Sequence, residues 1–209
     1  MRSYPFALRL AAAGDLFRVH KLVSEAAEWL RTSKDTDQWA KPWPDRARRN
    51  ERMLNDLLKG KTWLLWDDST PAGTITLDTE EPVAEGYQPV WPAHARNEPA
   101  LYVRRVIVNR RYAGYGLGAG LLDWAAHVAK ENYGATSIRV DVWTTNVQLH
   151  AYYEGQRFIR VAGRDPRELA GYPSQALFER KVDQSGSGYE RLFIGGDGSS
   201  ERSARLWRH

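Results

Sequence analysis

Four glycines, Gly114, Gly116, Gly118 and Gly120, fall within seven residues of the stretch VIVNRRYAGYGLGAGLLDWAA, Val106 to Ala126. An apolar run precedes them and an amphipathic helical pattern follows. A simple turn needs one or two glycines, and each one near a helix start costs up to about 1 kcal/mol relative to alanine. Glycines at alternate positions suit backbone that comes close to a ligand. Backbone N–H groups there, with the positive end of a helix dipole behind them, make an anion site. Further along, Asn146 stands at an expected helix start and Tyr153 follows seven residues later. That is about two turns, so the two side chains point the same way. An amide can bond a ligand, and a phenol with an ordinary pKa of about 10 is mostly protonated at neutral pH and can donate a proton. By type alone, Asn146 is equally a helix N-cap and Tyr153 equally a core aromatic.

Other constellations carry less. GYGLGA, Gly114 to Ala119, fits the dinucleotide pattern G-x-G-x-x-G/A as written. Its context does not fit, because five residues separate the glycines from Val108 and the nearest candidate acid, Asp141, lies 27 positions after Gly114. His150 reads as packing rather than as a base. No histidine pair has zinc-ligand spacing on a helix, so no metal is assigned.

The elements that must position these residues alternate. FALRL, Phe6 to Leu10, reads as a strand. A helix follows from an N-cap at Asp15 to about Leu30, with Leu16, Val19, Val23, Ala26, Ala27 and Leu30 facing inward. A polar, Pro-containing connection leads to a second helix over about 45–59, stopped by Gly60. TWLLW and AGTITL form a hairpin, and residues 79–99 form a long Pro-rich loop of the kind that often carries function. LYVRRVIV is a strand, and the glycine run leads into a helix reaching about Asn132. SIRVDVW, Ser137 to Trp143, is the next strand. A helix from Asn146 to about Glu154 and strands near 158–161 and 176–181 complete the pattern. This is an α/β order with an antiparallel end. From Asp183 the chain turns Gly/Ser-rich and polar and reads as a flexible tail over 183–209, in which Leu192 to Ile194 and Leu206-Trp207 could dock.

The 209-residue length implies one domain plus that tail. The absence of cysteine excludes disulfides, thiolate metal sites and a cysteine nucleophile, and fits a cytoplasmic protein. The N-terminus has no apolar core of signal-peptide length, and no run approaches the roughly 20 apolar residues of a membrane span. The net charge of +4 suits a polyanionic ligand. Nucleic acid is disfavoured, because the arginines are scattered rather than gathered into a basic stripe with interleaved aromatics.

The glycine motif and the strand-helix motif DVWTTNVQLHAYYEGQRF together resemble the GNAT superfamily of acetyl-CoA-dependent N-acetyltransferases, with ALRLAAAGDLFRVHKLVSEAAEWL similar to the family's first strand and helix. The resemblance spans most of 6–181. It implies a mixed, twisted β-sheet with helices on both faces, and acetyl-CoA as the acyl donor with no metal. It implies that Ala113, Gly114, Tyr115, Gly116, Leu117 and Gly118 hold the pyrophosphate through backbone N–H groups. It implies that Val106, Ile107 and Val108 contact the pantetheine arm and polarise the thioester carbonyl, that Asn146 contacts the same arm, and that Tyr153 protonates the leaving thiolate. Two departures stand out. Ala113 replaces the family's usual Arg or Gln, leaving Arg110 and Arg111 upstream as candidates for a phosphate. EGQRF replaces the usual Gly-Phe ending, so the helix is expected to stop early, at Gly155.

For the acceptor, the segment EWLRTSKDTDQWAKPW is the natural wall. Asp35 and Asp37 could hold an ammonium and Trp39 and Trp43 could stack on it; a solvated loop anchored by tryptophans is the plainer reading. Glu98 and Asp141 are candidate bases. The expected reaction is direct transfer of acetyl to a primary amine in a ternary complex, with a small molecule favoured over a protein amine. A non-catalytic acyl-CoA-binding module is the alternative. The tail could complete a homodimer interface or cover the acceptor cleft.

Overall fold

The computed structural model describes residues 6–34, 36–83, 89–161, 173–186 and 189. Seven strands form one sheet: β1 (Ala7–Leu10), β2 (Thr62–Asp67), β3 (Thr70–Asp78), β4 (Ala100–Val108), β5 (Ser137–Trp143), β6 (Ile159–Val161) and β7 (Ser174–Lys181). Their order is β1-β2-β3-β4-β5-β7-β6, and every pairing is antiparallel except β4 with β5. The helices are α1 (Leu16–Ser33), α2 (Arg46–Leu58), the short α3 (Ala93–Arg96), α4 (Leu117–Tyr133) and α5 (Val147–Gly155). The sequence reading placed each longer element within a few residues of these bounds. It missed α3 inside the Pro-rich loop.

Alternation along the strands divides the core. Ile75, Leu77, Leu101, Val103, Ile138 and Val140 meet Leu121, Leu122, Ala125 and Ala129 of α4 on one face. Leu64 and Ile107 meet Val19, Leu22 and Val23 of α1 and Met53 and Leu57 of α2 on the other. Helices therefore cover both faces, and burying roughly 25 cal/mol of apolar stabilisation per Å² on each side holds the layers together. Asp45 caps α2 by accepting the Arg48 N–H at 2.9 Å. Gly134 ends α4 in the left-handed conformation (φ 60°), as its type allows.

Two irregularities shape the centre. First, β4 pairs with β5 only over Ala100–Tyr102 against Ser137–Arg139. Beyond that point the parallel strands part, so β4 from Val103 onward has no strand partner on its β5 side among the described residues. Second, Thr74 faces Ile107 while Thr76 faces Arg104, so Ile75 alone opposes Arg105 and Val106. This is a β-bulge, with Arg105 at φ 50°. Without it, consecutive side chains would face opposite sides. With it, Arg104 and Arg105 both reach Asp56 of α2, at 2.9 and 2.5 Å.

Among the described residues no helix is long and apolar enough to cross a membrane. Past β7, Val182–Gln184 make one 3₁₀ turn and Tyr189 packs on His127 with ring centroids 5.4 Å apart. Leu192 to Ile194 and Leu206-Trp207 lie outside the described residues.

Candidate active site

The glycine loop is pinned from both sides before it reaches α4. The Asn109 side chain accepts the Arg111 N–H at 3.0 Å and donates to Glu25 of α1 at 3.1 Å. The Tyr112 hydroxyl donates to Asp67 at 2.7 Å, and its ring meets Phe6 edge-on. Leu117 is buried among Phe6, Leu65, Ala72 and Tyr112. Between these anchors Gly114 and Gly116 take φ 86° and 73°, conformations costing a residue with Cβ about 1–2 kcal/mol. Gly118 has a different reason. A Cβ there would lie 2.6 Å from the Tyr152 hydroxyl. The first helical bond of α4 runs from Gly120 N–H to Gly116 C=O, and no side chain caps the helix. The N–H groups of Leu117, Gly118 and Ala119 therefore have no partner within the helix, at its positive end.

These groups open onto a cleft of about 670 Å³ that runs along the freed edge of β4. Val106, Ile107, Val108, Ala113, Gly114, Gly116, Leu117, Gly118, Asn146 and Tyr153 all line it. Tyr115 does not; its ring is exposed beside Tyr112. Asn146 fills two roles. Its side-chain oxygen accepts the Leu149 N–H at 3.0 Å, capping α5, and its amide donates to buried Gln38 at 2.6 Å. Several residues of the cleft wall gave no sequence signal. Trp29 and Lys34 come from α1 and the turn after it, and Arg110 places its guanidinium 4.0 Å over the Trp29 ring. Arg110 is thus the upstream cation at the cleft, whereas Arg111 lies by the Tyr112 ring.

A second cavity, of about 250 Å³, lies on the other side of the strand gap. Trp39, Trp43 and Asp141 are in its wall, with Arg49 and Arg52 of α2 and with Arg104 and Arg105 from the bulge. Gln38, Trp39, Val106, Leu149 and Tyr153 line both spaces. Tyr153 is buried, and burial first, then Tyr152 beside it, pushes its hydroxyl pKa well up. The phenol therefore keeps its proton across the whole neutral and mildly alkaline range.

The ending of α5 explains how Tyr153 is set. The helix runs through Gly155, so the left-handed residue is not that glycine but Arg157, at φ 64°. Phe158 N–H bonds Tyr153 C=O at 3.0 Å and Arg157 N–H bonds Glu154 C=O at 3.0 Å. This is a Schellman ending with an arginine where glycine is usual. Phe158 then packs edge-on against Tyr153, 5.2 Å between ring centroids. The helix does stop at Gly155, as expected, but the left-handed position after it falls on Arg157, which bears the strain that a glycine would avoid.

The remaining predicted residues separate. Asp37 is outside both cavity walls, its carboxylate accepting from Trp143 Nε1 at 2.8 Å and from the Thr145 hydroxyl. Those two bonds hold its pKa below the usual carboxylate range. The ammonium reading of Asp37 thus finds its carboxylate tying the α1–α2 connection to the β5–α5 turn. Asp35 lies outside the described residues. Glu98 is far from the gap, paired with Lys181 at 3.2 Å. His150 is buried, bonded to the Trp143 carbonyl and packed on Phe178, as the packing reading expects. No group of three or more His, Asp or Glu among the described residues could hold a metal ion.

The model of the acetyltransferase (GNAT) family matches residues 21–158, which include the bulged strand, the glycine loop, Asn146 and Tyr153. The chain belongs to the GNAT acetyltransferase family. Among its relatives is the uncharacterized N-acetyltransferase YesJ of Bacillus subtilis (strain 168), 29% identical over 166 residues, covering 77% of this chain and 82% of YesJ. Solved structures agree on the GNAT fold. The GNAT-family acetyltransferase from Listeria monocytogenes 4b F2365 superposes with a TM-score of 0.61 at 18% identity, over 84% of this chain and 94% of that one. The PaiA N-acetyltransferase from Thermoplasma acidophilum, solved in complex with coenzyme A, gives 0.60 at 18%, over 84% and 98%. This GNAT chain is therefore an acyltransferase by family, with the mixed sheet and two-sided helices of that fold.

Proposed function

We propose that the protein is a cytoplasmic N-acetyltransferase that moves an acetyl group from acetyl-CoA to a small primary amine in one ternary complex. The observation that carries this reading is the placement of Tyr153 and Val106 in the walls of both spaces. A donor in the long cleft and an acceptor in the smaller cavity would meet at those two residues. Holding both in register removes most of the entropic part of the barrier.

The residues present fit the donor. Its pyrophosphate suits the three unpartnered N–H groups at the start of α4, with Arg110 and Lys34 as nearby cations. Its amide-bearing arm suits the free edge of β4 over Val106–Val108, which offers main-chain donors and acceptors as a neighbouring strand would. Asn146, held by Gln38, presents an amide to the same arm. The thioester supplies an activated acyl group. Main-chain N–H groups on the parted segment of β4 stabilise charge that develops on the carbonyl oxygen. Tyr153, protonated at neutral pH, gives its proton to the departing sulfur. Asp141, the acidic residue in the described wall of the acceptor cavity, takes the proton lost by the amine, directly or through water.

Calorimetry with acetyl-CoA, free CoA and NADH tests the donor, and thiol release with an amine panel tests the transfer. Micromolar binding of acetyl-CoA but not of NADH, with turnover of an amine, is the expected result. Binding without turnover of any amine would favour an acyl-CoA-binding module instead.

A further inference from the structure

The acceptor cavity is unevenly charged. Lys41, Arg49, Arg52, Arg104 and Arg105 contribute cations to its wall, against the single described acid Asp141. Arg104 and Arg105 are neutralised from outside it by Asp56, and Arg104 also by Asp78 at 3.2 Å. Arg52 donates to the Trp43 carbonyl and sits 5.2 Å from that ring. Arg49 has no such arrangement. It makes no ion pair with a described residue, and its Nε is buried without a hydrogen-bond partner. Its surroundings are themselves cationic or neutral. Arg46 precedes it by one turn of α2, and His20 of α1 lies near it, with Arg105 of β4 also near that histidine. Burial first, then Arg46, lowers the Arg49 pKa, and burial with Arg49, Arg105 and Arg46 keeps His20 toward its neutral form. Arg49 is half-buried, and its Nε, shut off from water with no counter-charge among the described residues, is a donor that an anion in the cavity would complete.

We infer that the acceptor amine carries a carboxylate or phosphate group, which Arg49 holds while the amine points to Asp141 and Tyr153. The cation is on the helical wall of the cavity and Asp141 is on the β5 wall, so the space suits a molecule with an anion at one end and an ammonium at the other. Its volume of about 250 Å³ is below the roughly 300–1,000 Å³ of drug-sized ligand sites, which suits an acceptor of amino-acid size. Trp39 and Trp43 supply flat apolar sides for its carbon skeleton. Arginine suits this task because its planar fork meets a carboxylate or phosphate through two parallel bonds.

This inference rests on the acetyl-transfer reading, and its test separates the two. Matched amines are titrated into the protein loaded with free CoA, so that binding is read without turnover. β-Alanine represents the carboxylate arm and O-phosphoethanolamine the phosphate arm. Propylamine and ethanolamine are their neutral partners, and spermidine is the cationic contrast. The expected result is about tenfold or tighter binding of one anionic amine over its neutral partner, weakening as salt is raised. Arg49→Met should bring that ratio to about one, with Arg49→Lys restoring part of it and acetyl-CoA affinity unchanged in both. In turnover the same ratio should appear in KM. Equal binding of charged and neutral amines, preference for spermidine, no binding of any, or a ratio indifferent to Arg49→Met would overturn the inference. A panel that binds as expected but is never acetylated would leave the anion site standing and sink the transfer reading.

Discussion

At the scale of single residues, Tyr153 concentrates the proposed chemistry and Arg157 the strain. Tyr153→Phe keeps the ring that packs on Phe158 and Phe178 and removes only the hydroxyl. It should lower kcat roughly 10²-fold or more, as loss of a positioned proton donor does. Acetyl-CoA affinity measured by calorimetry should not change, because in the proposed mechanism the phenol acts on the departing sulfur and not on the phosphates. The raised Tyr153 pKa also fixes a pH prediction. An ordinary tyrosine loses its proton at about pH 10, so a kcat profile should show no alkaline limb from this donor up to that pH. A limb near pH 8 that vanishes in Tyr153→Phe would contradict the assignment. Arg157→Gly tests the helix ending. Relief of left-handed strain, about 1–2 kcal/mol, outweighs the added freedom of glycine in the unfolded chain, about 0.5–1 kcal/mol. Denaturant unfolding should therefore show a net gain of roughly half a kcal/mol or more.

At the scale of elements, the loop into α4 and the parting of β4 from β5 are the two devices that make the cleft. Gly116→Ala introduces a Cβ into open space, so its cost is conformational and about 1 kcal/mol. The N–H groups that follow would be re-aimed, and acetyl-CoA binding should weaken about tenfold. Gly118→Ala meets only the far end of the Tyr152 side chain, which can turn aside, so its effect should be smaller. Gly73→Ala on β3 is the harsher change. The new Cβ would lie 2.7 Å from the Ile107 carbonyl oxygen, and backbone cannot swing away as a side chain can. It should cost about 1–3 kcal/mol and push the working edge of β4 out of place. A variant with wild-type stability and kcat would show that this strand contact is not what sets β4.

At the scale of the whole molecule, one ion cluster connects the layers: Asp56 on α2, Asp78 at the end of β3, and the two arginines of the bulge. Burial pushes the Asp56 carboxyl up, but Arg104 and Arg105 more than offset this and hold its pKa below the usual carboxylate value. A carboxylate depressed in the folded state contributes stability above its unfolded pKa of about 3.9, and loses it as pH falls through the folded value. Stability from this cluster should therefore be full at neutral pH and fade below about pH 4. Asp56→Asn should remove about 3 kcal/mol or more, by leaving Arg105 buried without its counter-charge, and should flatten that acid limb. Much of this molecule is legible in its sequence. Hydrophobic periodicity and chain punctuation locate every long element, because burial of one face is a local pattern. The glycine run and the Asn146–Tyr153 spacing mark the proposed donor site, because left-handed backbone and helix spacing are local demands too. Three things are not legible. The parting of β4 from β5 depends on how two strands distant in sequence diverge. The pairing of both bulge arginines with Asp56 requires a misregister that no single strand encodes. That Arg49 has no counter-charge among the described residues is known only once its neighbours on α1 and α2 are in place. Local sequence dictates which groups are available, and tertiary packing decides which of them are satisfied and which are left facing a ligand.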